Sequence, residues 1–153
     1  MSEQGKIERV ENIGIEGIKA VLPHREPFLL IDTIVECELG KRTTALWHLT
    51  GEEYFFQGHF PQKPVLPGVL QLESLAQAGA YAVLAREGWA GKIVLFAKAD
   101  KIRWRRQVVP GDVLTLEIEM THLSAVGGKG KGRTHVADET ACEAELMFVF
   151  AQD

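Results

Sequence analysis

Cysteine is scarce in this chain: Cys37 and Cys142 stand far apart in 153 residues. Neither falls in a Cys-x-x-Cys or other metal spacing, so a disulfide scaffold and a zinc module are not expected. Two buried thiols in a reducing cytosol are expected instead. Long hydrophobic runs are lacking too. The longest apolar region is broken by Gln71, Glu73, Ser74 and Gln77, which argues against a membrane span. The N-terminal MSEQGKIERVENIG has no apolar stretch of the kind a secretory signal needs. A cytoplasmic location without membrane partners is therefore expected. Excess positive charge is also missing. Lys and Arg total 17 against 21 Asp and Glu, for a net charge of −4, which argues against a general nucleic-acid binder. No two histidines have metal-ligand spacing, so no metal is expected. With no internal repeat and no low-complexity linker, residues 1–153 read as one domain with its own core.

What is present is one helix and a series of strands. Ile13 to Val21 has a helical stripe of Ile15, Ile18 and Leu22, stopped by Pro23. Phe28 to Glu38 and Arg42 to Thr50 read as strands joined by a turn at Gly40-Lys41. An irregular segment from Gly51 to Pro67 leads into the main helix, Val69 to Glu87, with proline at its mouth and Gly88 as its stop. Ala76, Ala78, Gly79, Ala80, Ala82 and Ala85 keep that helix thin enough for a sheet to approach it on several sides. Ile93 to Ala97 and Ile102 to Val109 read as two strands. In Val113 to His122, Leu114, Leu116, Ile118 and Met120 alternate with polar residues, the mark of a half-buried antiparallel strand. Lys129 to Val136 and Ala141 to Phe150 complete the set. The pattern implies an α+β fold with an antiparallel sheet wrapped around one long central helix.

The segment YFFQGHFPQKPVLPGVLQLESLAQ, Tyr54 to Gln77, carries the chemistry. Glu73 is a lone carboxylate in an apolar helix, where a charge is costly unless it is paired or protonated. Its pKa should therefore be raised, which suits a general acid. His59 sits in a Gly-His-Phe-Pro loop nearby, and a neutral imidazole suits a general base. The free amides of the helix start, around Gly68 and Val69, point a positive dipole end at one spot. Gly68 has no side chain to block a carbonyl there. Gln77 lies one turn from Glu73 and is placed to orient it.

These residues resemble the (3R)-hydroxyacyl-[acyl-carrier-protein] dehydratase family of bacterial fatty acid synthesis. The likeness rests on Leu22-Pro23-His24-Arg25 with Pro27 to Asp32, on Phe55 to Pro61, and on Pro67 to Leu70 with Glu73 and Ala76-Gln77. It continues through Phe96-Ala97, Arg103 to Arg106, Val109 to Asp112, Lys129 to Gly132 and Cys142 to Glu145, and so spans residues 13 to 150. The resemblance implies a hot-dog fold and dehydration of (3R)-3-hydroxyacyl chains to trans-2-enoyl chains on acyl carrier protein. It implies His59 as base, Glu73 as acid and the Gly68 amide at the thioester carbonyl, with no cofactor. It also implies a homodimer, assembled as a trimer of dimers, in which the histidine of one subunit faces the glutamate of the other. Val94 and Leu95 stand where relatives often carry aromatic residues at the acyl tunnel mouth, which implies a looser mouth.

Other readings remain beside this one. A hot-dog thioesterase would need a carboxylate and water aimed at the carbonyl. A silent acyl-thioester sensor would not need both His59 and Glu73. The stretch Gly127 to Thr134 is a near miss to a phosphate-binding loop, but strand-like sequence follows it where a helix is required. Lys98, Lys101, Arg103 and Arg105 cluster on a net acidic chain. They are a candidate docking patch for an acidic carrier protein.

Overall fold

The alternation in Val113 to His122 is realised as strand β5, Val113–Leu123, whose Leu114, Leu116 and Ile118 are buried against the helix. Around it, in a computed structural model that describes residues 8–152, the chain builds one antiparallel sheet on one long helix. The elements are β1 Arg9–Ile13, α1 Ile15–Lys19, β2 Thr33–Glu38, β3 Arg42–His48, a 3-10 turn Tyr54–Gln57 and α2 Gly68–Leu84. Then come β4 Val94–Trp104, β5, β6 Gly127–Val136 and β7 Glu139–Phe150. The sheet order is β1-β2-β3-β5-β6-β7-β4, so β1 and β4 are the edges. Helix α2 packs on β2, β3, β5, β6, β7 and β4, the wrapped arrangement expected of the sequence.

Several boundaries differ from the sequence reading. Phe28 to Asp32 is not strand; β2 begins at Thr33. Leu29, Leu30 and Ile31 are buried, but the Leu30 amide bonds the Gln77 side chain in place of a neighbouring strand. The two strands expected at Ile93 to Ala97 and Ile102 to Val109 are replaced by one continuous strand, β4, which ends at Trp104 and leaves Arg105 to Val109 outside the sheet. Its hydrophilic middle, Lys98 to Lys101, is an exposed edge that pairs with β7 across two register shifts. Lys101 takes φ 50° within the second shift. Helix α2 ends at Leu84 with Ala85 as its cap, so Gly88 (φ 86°) lies in the turn beyond it. Strand β1, which had no periodic signal, pairs with β2 from Arg9↔Glu38 to Ile13↔Ile34. The phosphate-loop look-alike is strand β6, as its flanks require.

Close approach between sheet and helix is set by glycine. Gly132 faces Leu75 of α2, and a methyl group built on it would lie 3.1 Å from the Leu75 Cδ2. Gly127 is tighter: an added Cβ would lie 2.3 Å from the Phe148 carbonyl oxygen, a main-chain atom that no rotamer change can move. Gly127→Ala should therefore destabilise the fold by about 3 kcal/mol, near the upper end for overpacking. Gly14→Ala, in open space at φ −91°, should be close to neutral. Denaturant midpoints of the two variants check this, and equal midpoints would refute it.

Candidate active site

Glu73 lies in the middle of α2, and its side chain is 17% exposed. It faces a narrow apolar pocket formed with Ala76, Ala80, Val94, Phe96 and Phe148. Burial pushes its carboxyl above the usual carboxylate range, and a hydrogen bond from Gln77 opposes that shift. Gln77 is fully buried and its orientation is determined by its neighbours. Its Oε1 accepts the Leu30 amide at 2.8 Å, while Nε2 donates to the Phe28 carbonyl at 2.8 Å and to Glu73 Oε2 at 2.9 Å. Two main-chain anchors thus hold the Gln77 carboxamide against Glu73 Oε2.

His59 sits elsewhere. Its Nδ1 lies 2.8 Å from the Val65 carbonyl oxygen, and the Val65 amide donates back to the His59 carbonyl at 2.8 Å. A carbonyl only accepts, so Nδ1 carries the proton and Nε2 is the basic nitrogen. The ring stacks on Phe60 with centroids 4.1 Å apart. His59 opens on a cavity of ≈ 600 Å³ that it shares with Gly68, Val69, Trp104, Arg105 and Arg106. The structure therefore brings together the histidine and the helix start. Glu73 lies in a second pocket, with Gln77 behind it.

Gly68 opens α2 and Val69 is 66% exposed beside it. The Trp104 indole donates to the Gly68 carbonyl at 3.0 Å. A Cβ on residue 68 would lie 2.6 Å from that indole nitrogen, so packing against Trp104 favours glycine there.

His24 is not among the site residues expected from the sequence. It lies in Glu73's pocket, with Nε2 3.7 Å from Glu73 Oε2 and Nδ1 buried without a partner. Burial lowers its pKa, which favours the neutral ring. Only the fold brings the Leu-Pro-His turn to this helix, so single-residue reasoning had no signal for it.

The basic cluster is partly neutralised. Arg105 bonds Glu143 at 2.7 Å, Lys101 approaches Glu145 at 3.6 Å, and Lys98 approaches Asp100 at 3.8 Å. Arg103 pairs in register with Glu143. Arg106 is half-buried between Asp112 and Glu139. Of the tunnel-mouth pair, Val94 lines the Glu73 pocket together with Phe96, whereas Leu95 is exposed and does not line it. A wider concavity of ≈ 780 Å³ runs along β3, β5, β6 and β7 between carboxylates and cations that pair with each other, such as Arg133 with Glu117. Among the described residues no group of three or more His, Cys, Asp or Glu side chains could hold a metal, and no helix is long and apolar enough to cross a membrane.

Comparison with known proteins gives a consistent picture. A family model described as a FabA-like domain matches residues 22–145. A 3-hydroxyacyl-[acyl-carrier-protein] dehydratase FabZ of Desulforamulus reducens is 51% identical over 140 residues, covering 92% of this chain and 99% of that protein. Its counterpart in Staphylococcus aureus is 54% identical over 131 residues, covering 86% of this chain and 90% of the other. Among solved structures, the dehydratase heterocomplex ApeI:P from Xenorhabdus doucetiae superposes with a TM-score of 0.77 at 16% identity, over 89% of this chain and 91% of that one. That likeness shows the hot-dog fold.

The raised pKa of Glu73 has a thermodynamic consequence. In the unfolded chain the carboxyl ionises in its ordinary range; in the folded chain it holds its proton to higher pH. Between those two pKa values the folded state binds more protons, so stability falls as pH rises. Glu73→Gln removes that loss. Its melting temperature should exceed the wild type's at neutral pH, and the difference should shrink in acid, below the ordinary carboxylate pKa. Melts across pH check this; a difference independent of pH would refute it.

Proposed function

This chain belongs to the FabA-like 3-hydroxyacyl-[acyl-carrier-protein] dehydratase family, a family of hydro-lyases, and from that premise we propose how its own residues eliminate water. The substrate is a (3R)-3-hydroxyacyl chain carried as a thioester on acyl carrier protein. His59 Nε2 takes the proton from the carbon next to the carbonyl. The electron pair left behind forms the trans-2 double bond as the bond from carbon 3 to its hydroxyl breaks. Glu73 gives its proton to that hydroxyl, which leaves as water. The amides at Gly68 and Val69 receive the charge that develops on the thioester oxygen. The observation that carries this reading is the contrast in surroundings: the Val65 carbonyl engages His59 Nδ1 and leaves Nε2 as the nitrogen to act as base, while burial raises the pKa of Glu73. No step calls for a cofactor.

Within one protomer the two groups open on different cavities. We assign the complete site to two protomers of a homodimer, the His59 cavity of one meeting the Glu73 pocket of the other. Strand β4 supports this. It is an edge strand with apolar side chains exposed toward both ends, Leu95 at 49%, Phe96 at 46% and Trp104 at 47%, and an unpaired edge of this kind can pair with another chain. By the family resemblance, three such dimers assemble. Two free buried thiols fit a reducing cytoplasm.

His59→Ala and Glu73→Gln should each lower turnover about a hundredfold or more while the fold persists. Mixing the two inactive variants under conditions that exchange subunits should restore activity, because a mixed dimer holds one intact pair. Absence of restored activity, with exchange verified by mass, would rule out the shared site.

Arg105 and Arg106 line the His59 cavity, which supports a carrier-docking role for the basic cluster. Because β7 carboxylates already hold Lys101 and Arg105, Arg103 is assigned the largest docking share. Arg103→Ala should raise KM for the carrier-linked substrate by roughly fivefold at low salt. It should leave KM for a coenzyme A ester unchanged, and the difference should fade as salt rises. Equal effects on both substrates would overturn the docking role.

A further inference from the structure

The Glu73 pocket offers space of only ≈ 40 Å³, enough for about one or two water molecules. An acyl chain therefore enters it only if a side chain moves. The pocket follows α2 from Glu73 past Ala76 and Ala80, and Gly79 lies about 9 Å along the helix axis from Glu73. At that end the space between helix and sheet is bounded by two glycines, Gly79 of α2 and Gly130 of β6. The terminal methyl of Met120 lies between them. A Cβ on Gly79 would lie 3.1 Å from Met120 Cε, and a Cβ on Gly130 would lie 2.9 Å from the same atom.

Of the apolar side chains in this pocket, Met120 is the most able to move. It is half-buried and unbranched, with three rotatable bonds. Its neighbour Ile118 is β-branched and stiff. Met120 also stands where the β5–β6 register shifts, between Met120 and His122. Such an irregularity re-aims a side chain and loosens the ladder around it.

We infer that Met120 is the movable end-wall of the acyl pocket and sets the chain-length range of the enzyme, with Gly79 and Gly130 leaving the space into which its methyl swings. The inference rests on the dehydratase reading above, because it takes the reacting end of the chain to be held at Glu73. Short chains stop before the methyl. Longer chains displace it, and the ease of displacement decides how long a chain is accepted. Val94 and Phe96 line the pocket wall without closing this end.

The test is a series of carrier-linked 3-hydroxyacyl substrates from hydroxybutanoyl to hydroxyhexadecanoyl, with kcat/KM measured for each length on the wild type, Met120→Ala and Gly130→Ala. Met120→Ala should raise the long-to-short ratio of kcat/KM by about tenfold, the scale of a pocket change of one or two methylenes. Gly130→Ala meets side-chain atoms and no main chain, with the mobile Met120 Cε the nearest at 2.9 Å and Ile118 next at 3.2 Å, so it should fold, and it should lower the same ratio. A structural defect would scale all lengths together and so would not change the ratio. A wild type that dehydrates no member of the series overturns the dehydratase reading and this inference with it. A wild type active on the series, with a length profile unchanged in either folded variant, overturns this inference alone.

Discussion

The buried carboxamide of Gln77 is the interaction on which the site and its surroundings depend. A glutamine with no solvent exposure is costly unless its groups are matched, and here its oxygen accepts one bond and both hydrogens of its nitrogen are used. Two of the three partners are main-chain groups of the segment from Phe28 to Leu30. The third is Glu73. One side chain thus tethers a non-strand segment to the helix and fixes the acid group. Losing it would leave the Leu30 amide and the Phe28 carbonyl unsatisfied, at about 1–3 kcal/mol for each. The polar groups Gln71, Ser74 and Thr134 are satisfied in the same way, with Thr134 donating to Gln71 at 2.6 Å and Ser74 to the Gln71 carbonyl at 2.8 Å. The helix can be buried because its few polar side chains are spent on fixed partners, and Glu73 is the group left facing a pocket.

The glycines of β6 and the small residues of α2 are the steric counterpart of that network. Gly132 admits Leu75 of the helix, Gly127 admits the β7 main chain, and Gly130 admits Ile118 and Met120 from β5. The sheet can therefore close on the helix without filling the space beside Glu73. The same stretch of glycines that imitates a phosphate loop in sequence serves as the inner face of a strand.

The sequence revealed most where a pattern and a burial requirement coincide. Strand β5 alternates because one face meets the helix, and Glu73 stands out because a carboxylate interrupts an apolar helix. It revealed less where exposure or distant contacts decide. Strand β4 is exposed along nearly its whole length, so its polar middle looked like a break. Strand β1 is five residues with no apolar repeat and exists through its pairing with β2. The run from Phe28 to Asp32 has strand composition, yet its Leu30 amide finds Gln77, 47 residues away, in place of a ladder. His24 had no local signature because its neighbour Glu73 lies on another element. Membership of a family could be read across residues 13 to 150, whereas the two cavities on which His59 and Glu73 open, and the side chains that line them, could be seen only in three dimensions.

That separation follows from what each group must do. A histidine and a glutamate in direct contact favour imidazolium and carboxylate, which is the wrong ionisation for a base and an acid. Burial drives Glu73 toward its acid form in an apolar pocket. The Val65 carbonyl sets the His59 tautomer in a different, open cavity. The histidine that does approach Glu73 is His24, and burial favours its neutral form, so it brings no positive charge to stabilise the carboxylate. The site proposed above, divided between two protomers, avoids such a contact, because His59 and Glu73 would meet only across the interface and neither protomer has to hold both groups in one cavity.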